Sequence, residues 1–260
     1  MGIFTNAFIA MGIGSADVET ILETKSVRQG EEINGRIYLQ GGSKDLEFNG
    51  ISLELYGKLS VEGDDDLQLV KISEIVISES FTLAEETEEY LNFSIALPRN
   101  VPITSEHLIN HDRNKVYLET KLDLPFAVDP TDVDYLEIFP SHDIETIFTA
   151  LIDKLGFRLS ESETVIYKDE ILQEFEFKPT SDSRYQEYLD EIECCFFHVD
   201  GGINMFIEID RRARDTGSSI LEMLDMDETH RIVFISNEHL DEGSSHIADL
   251  LDDYISKYSR

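Results

Sequence analysis

The sequence predicts a mainly β protein: two antiparallel β-sandwich lobes in tandem, with a short N-terminal helix, a helix opening the second lobe and a C-terminal helix. Three observations carry this. The 260 residues exceed the usual single-domain size and divide naturally into two lobes of about 130 residues each. Apolar and polar residues alternate over short runs punctuated by Gly, Pro and Asp, the pattern of half-buried strands joined by tight turns. At the midpoint, residues 121–140, two dissimilar strand patterns meet across a polar turn.

Phe4, Ala7, Phe8 and Met11 fall at helical spacing before Gly12 and Gly14, so the chain opens with a short helix carrying one apolar face. Residues 17–124 then read as strands and turns. Residues 18–22 form one strand. Ile33, Ile37 and Leu39 mark a second between Gly30 and Gly41, and Ile51, Leu53 and Leu55 a third. Asp64, Asp65 and Asp66 suit a hairpin tip, after which strand patterns resume over 72–83 and 90–97. Leu118, Thr120, Leu122 and Leu124 alternate with Glu119, Lys121 and Asp123 up to Pro125. Asp129, Pro130, Asp132 and Asp134 then read as an inter-domain linker, because Pro130 holds Asp129 extended and short carboxylates cap nearby N–H groups. This places the first lobe at 1–129, the linker and first strand of the second lobe at 130–140, and the rest of that lobe at 141–260.

Ser141 is a helix cap, followed by Asp143 and Glu145 at the positive end of the dipole and by a stripe of Ile144, Ile147, Phe148, Leu151, Ile152 and Leu155. Gly156 suits its end. Strand patterns return around Phe175 and Phe177, over 192–199, around Met205, Ile207 and Ile209, and over 232–235, with a hairpin turn at Asp200, Gly201 and Gly202. Ile247, Leu250, Leu251, Tyr254, Ile255 and Tyr258 give a docked terminal helix.

Composition excludes more than it proposes. With 21 basic and 54 acidic residues the formal charge is −33, a field that repels phosphate backbones and anionic headgroups, so nucleic acid is not expected as a partner. No apolar run reaches the length of about 18 residues that a membrane span needs, and the N-terminus lacks the basic start of a signal peptide, so a cytoplasmic protein is expected. Two adjacent cysteines, Cys194 and Cys195, agree with a reducing compartment; neighbours in a strand point to opposite faces, so at most one is expected to be buried.

Phosphate loops, nucleophile elbows and H-E-x-x-H helices are absent from the sequence. His107 and His111 are four apart and could share a metal on a helical turn, but residues 102–114 read as a loop. The linker aspartates do not meet the spacing of a calcium loop, and turn capping and salt bridges are their expected role. Arg211, Arg212 and Arg214 crowd three of eleven arginines into four positions at a strand end. Such a cluster grips phosphates or carboxylates, unless Asp210, Asp215 and other local acids already occupy it. No catalytic residue, metal or cofactor is assigned.

In this order, several stretches resemble the bacterial sporulation-control family, the SpoOM-type proteins. They are M-G-I-G-S at 11–15 with V-E-T-I-L at 18–22, G-E-E-I-N-G-R-I-Y-L-Q-G-G at 30–42, L-D-L-P-F-A-V-D-P-T-D-V-D-Y at 122–135, L-G-F-R-L at 155–159, Q-E-F-E-F-K-P at 173–179 and E-I-D-R-R-A-R at 208–214. The resemblance implies an arrestin-like, immunoglobulin-like pair of sandwiches, intracellular location and a regulatory or scaffolding role without catalysis. The expected function is therefore protein-protein interaction through exposed sheet edges and the inter-lobe cleft, with unidentified protein partners or a homodimer. The alternative is a metal-binding module or hydrolase using His107, His111 or the linker aspartates.

Overall fold

The computed structural model describes residues 16–59, 67–105, 114–125, 131–167, 170–211 and 232–258. The N-terminal helix, the Asp64–Asp66 tip, His107, His111, Asp129, Pro130, Arg212 and Arg214 lie outside them. The chain is mainly β and arrestin-like, as expected.

Two sheets stack in the first half. One has the order β1 (Asp17–Leu22), β3 (Glu32–Gln40), β8 (Glu88–Ala96), all antiparallel. The other has the order β2 (Ser26–Arg28), β10 (Thr131–Phe139), β9 (Lys115–Asp123), β5 (Gly50–Leu59), β6 (Gln68–Ser78), and only the β2–β10 pair is parallel. A further pair joins β4 (Leu46–Phe48) to β7 (Phe81–Leu83). Alternation decides which residues meet between the sheets: Ile33, Ile37 and Leu39 from β3 face Leu53, Leu118 and Leu136, all buried in one core.

The structure corrects the reading of residues 131–139. They are not a linker or a strand of the second lobe but β10, paired with β9 and β2 inside the five-stranded sheet of the first half. Leu136 and Ile138 point into the first core. Asp132 accepts a hydrogen bond from the backbone N–H of Thr20 at 2.6 Å, and Asp134 takes the Lys25 ammonium at 2.6 Å. Both contacts lie within the first half: Asp132 bonds an N–H inside strand β1 and not in a turn, and Asp134 forms a salt bridge within its own half and not to the other one.

In the second half β11 (Phe157–Tyr167), β12 (Glu170–Pro179), β13 (Leu189–Val199), β14 (Gly202–Arg211) and β15 (Ile232–Ser236) form one antiparallel meander. Helix α1 (His142–Thr149), a π-helical turn (Ala150–Lys154) and α3 (Ser244–Tyr258) pack on one face; a short α2 (Asn237–Asp241) precedes α3. Ser141 caps α1 by accepting from the Ile144 N–H, and Gly156 ends the segment at φ +73°, a conformation costly for any residue with a Cβ. Phe148 meets Phe175 and Phe177 edge-on at 5.0 and 5.5 Å, which seats the helix on the sheet. Tyr185 donates to Asp252 at 2.6 Å and Arg184 pairs with the same carboxylate at 2.7 Å, fixing α3.

Both cysteines are buried, against the expectation of one. Cys194 lies in the helix-covered core, whereas Cys195 faces the other side of the sheet under Phe197 and Phe206. Alternation put them on opposite faces correctly; a second aromatic cover then buried the outer one.

Candidate functional site

The two cores meet at a seam clamped by two glutamines. After β8 the chain sends Val101 into the first core and, two residues on, Ile103 into the second. Gln173 of β12 reads the peptide group of Ile103 from both sides: its Oε1 accepts from the Ile103 N–H at 2.7 Å and its Nε2 donates to the Ile103 carbonyl at 3.0 Å. Gln29 does the same work at a second point. Its Nε2 donates to the Val101 carbonyl at 2.6 Å and its Oε1 accepts from the Ser141 N–H at 3.2 Å. Arg28 donates to the Pro140 carbonyl at 2.9 Å and pairs with Glu145 at 2.8 Å. Buried backbone groups need partners, so the seam is held by satisfied polar groups as well as by apolar packing.

Beside this seam lies a cleft of about 490 Å³. One wall is β6 at Val70, Lys71 and Ile72, with Arg99 and Asn100 at the end. The other is formed by Ile171 and Leu172 of β12 and by Phe196, Phe197 and His198 of β13. The β12–β13 ladder covers Phe175, Glu176 and Phe177 opposite Cys194, Glu193 and Ile192, and the cleft-lining residues lie just beyond its end. Both ring nitrogens of His198 are buried with no hydrogen-bond partner among the described residues. Burial, then the Arg99 charge, push its pKa below the ordinary histidine value, so the imidazole is neutral at pH 7. Arg99 packs over Gly30, which sits at φ +78°; a Cβ there would stand 3.1 Å from the arginine Cγ.

Strand β6 is the edge of its sheet among the described residues, with β5 as its one paired neighbour and with Leu69 and Val76 exposed at 63% and 67%. Lys71 marks the boundary between edge and cleft: its ammonium pairs with Glu54 at 3.0 Å and with Glu74. Tyr56 donates to Glu54 at 2.6 Å. Burial opposes ionisation of Glu54, but the bonds from Tyr56 and Lys71 outweigh it and hold the carboxyl below its usual range, while that same bond raises Tyr56 to about 12.

The sheet of the second half carries an acidic hollow of about 170 Å³ on the face away from the helices, lined by Glu161, Ser162, Glu163, Glu174, Glu176 and Glu193. Register makes it: Glu161 lies opposite Glu176, Glu163 opposite Glu174, and Glu176 opposite Glu193. Burial, with Glu174 and Glu208 nearby, raises Glu193 to about 8. Oxygens of Glu176, Glu191 and Glu193 lie within 4.8 Å of one another, a spacing that suits a hard cation. Lys178, however, places its ammonium 2.6 Å from Glu176 and 3.2 Å from Glu191, so the protein itself offsets part of the charge of this group.

Of the residues singled out from the sequence, Arg211 ends β14 opposite Leu189, half-buried, and it does not line the cleft or the acidic hollow. Sequence reasoning missed Gln29, Gln173 and His198. A glutamine inside an alternating strand was the available signal for the first clamp residue of β12, but nothing local distinguishes it from a solvated one.

The family model described as SpoOM protein matches residues 4–213. The chain belongs to the SpoOM family. It is 31% identical over 267 residues to the sporulation-control protein spo0M of Bacillus subtilis, covering all of both chains. The crystal structure of that sporulation control protein is similar with a TM-score of 0.78 at 29% identity, over 95% of this chain and all of that one. As a SpoOM-family member the chain keeps its likeness through both cores, so the seam and cleft lie inside the shared architecture.

Proposed function

We propose that this chain is a non-enzymatic, cytoplasmic regulatory protein of the sporulation-control type, a scaffold that binds other proteins. The name of its Bacillus relative supports the regulatory part. The observation that carries the mode of action is β6, an eleven-residue edge strand that borders a cleft walled by Phe196, Phe197, Ile171 and Leu172. An extended segment adding to that edge gains backbone hydrogen bonds, and every second side chain enters the apolar cleft. The lobes divide at 140–141 in this reading, and the clamped seam sets the angle at which the surfaces are presented. The charge of −33 favours basic protein partners over nucleic acid. Arg211, with Arg212 and Arg214, is the proposed contact for a carboxylate or phosphate on the same partner. A homodimer is the variant in which a second copy supplies the added strand.

The test is a photo-crosslinking residue at Leu69 or Val76 in the host cell. Discrete adducts are expected, lost when Pro replaces Ile72 or Ser73, because one of these neighbours must direct its N–H outward. Adducts that persist in both Pro variants would remove the edge-strand reading, and light scattering of the pure protein separates a second copy from another partner.

A further inference from the structure

We propose that the turn between α2 and α3 is a binding site for one first-row divalent metal ion of the zinc class, held by Nδ1 of His239 and Nε2 of His246. The two rings lie with centroids 5.1 Å apart, tilted by 45°. Two imidazoles on one tetrahedral ion, each nitrogen about 2.0 Å from it, have centroids roughly 5 Å apart. His239 Nδ1 and His246 Nε2 are both buried and neither has a hydrogen-bond partner among the described residues. A buried imidazole nitrogen without a partner is costly, and a direct ring-to-ring bond, which would satisfy both, is not made. One ion accepting both lone pairs satisfies them together.

The second observation concerns the proton. Glu242 Oε2 stands 3.1 Å from His246 Nδ1. A carboxylate there keeps the proton on Nδ1 and leaves Nε2 as the lone-pair nitrogen, the arrangement in which carboxylates orient metal-binding histidines. The backbone holds both rings in place beforehand. Ser236 accepts from the His239 N–H at 3.2 Å, and Gly243 turns the chain at φ +89°. Leu240 and Ile247 anchor the two sides of the turn in the second core. Imidazole donors select zinc, copper or nickel over magnesium and calcium, which the acidic surface attracts without this geometry.

The experiment uses the full chain stripped with EDTA, titrated with Zn²⁺ by calorimetry in excess Mg²⁺, and with Co²⁺ by visible absorption. One equivalent is expected to bind, with a change in the visible cobalt spectrum that saturates at that equivalent and a Tm rise of about 5 °C at saturating zinc. His239→Ala and His246→Ala should each abolish it, and Glu242→Gln should weaken it by about 10–100-fold. If an alanine variant unfolds, His239→Asn and His246→Asn serve. Binding that survives at both positions, binding lost in His107→Ala/His111→Ala instead, or no binding that resists Mg²⁺ would each overturn the proposal.

Discussion

Replacing Gln173 by Met tests the seam. The change keeps side-chain length and removes the carboxamide, so the Ile103 N–H and carbonyl, now bonded at 2.7 and 3.0 Å, lose their partners. Ile103 has no solvent exposure, so water has no ready path to replace them. Each of the two orphaned buried groups costs about 1–3 kcal/mol, and the gain from a more apolar side chain offsets roughly 1, which leaves a loss of about 1–5 kcal/mol. The chain has no tryptophan, so unfolding is followed by far-ultraviolet circular dichroism in urea. With a urea slope near the upper end of about 1–3 kcal/mol per molar, the midpoint should fall by about 1 M. The Ile103 amide should also exchange its hydrogen far faster, since its protection rests on the lost carboxamide. A midpoint within about 0.2 M of the parent together with a still-protected Ile103 amide would refute the reasoning, because some other group would then be satisfying that peptide.

Three further outcomes follow from the same physics. Between its unfolded value of 4.5 and about 8 the folded protein keeps a proton on Glu193 that the unfolded chain releases, so this group's contribution is fully present below 4.5 and lost as pH rises through 8. Glu193→Gln should therefore stabilise by on the order of 1 kcal/mol at pH 8.5, with screening of this half-exposed group allowed for, and hardly at all at pH 5; equal effects at both would count against it. Gly30→Ala should cost about 1 kcal/mol in thermal melts, from the positive φ alone, and displace Arg99 from the cleft wall. Cys194 and Cys195 are buried and their thiols are pushed well up by burial, so a thiol reagent at pH 8 should find neither in the native protein and both in urea; rapid native labelling would contradict the double cover.

Legibility followed interaction range. Strands with a period of two over many residues, such as β3, β9 and β14, were readable because one buried face writes itself into the sequence. The three-residue β2 and β4 were not, since three residues hold no period and their pairing partners lie far along the chain, and β7 was read only as the end of one strand over 72–83 that the structure divides into β6 and β7. Ser141 and Gly156 were legible because a cap involves only a neighbour three residues away or one backbone angle. Family motifs named the architecture, yet they did not say which sheet 131–139 would join. That depended on β9 and β2 offering a free edge.

Alone, then, the sequence determined the elements with local rules, alternation, capping and turn chemistry, and a strongly negative net charge. The tertiary structure decided the placement of β10 in the five-stranded sheet of the first half, the burial of both cysteines, the glutamine clamps, the cleft beside β6 and the meeting of His239 with His246. Each of these requires two surfaces to come within hydrogen-bond or van der Waals distance, and such contacts between distant segments leave no periodic trace in the order of residues.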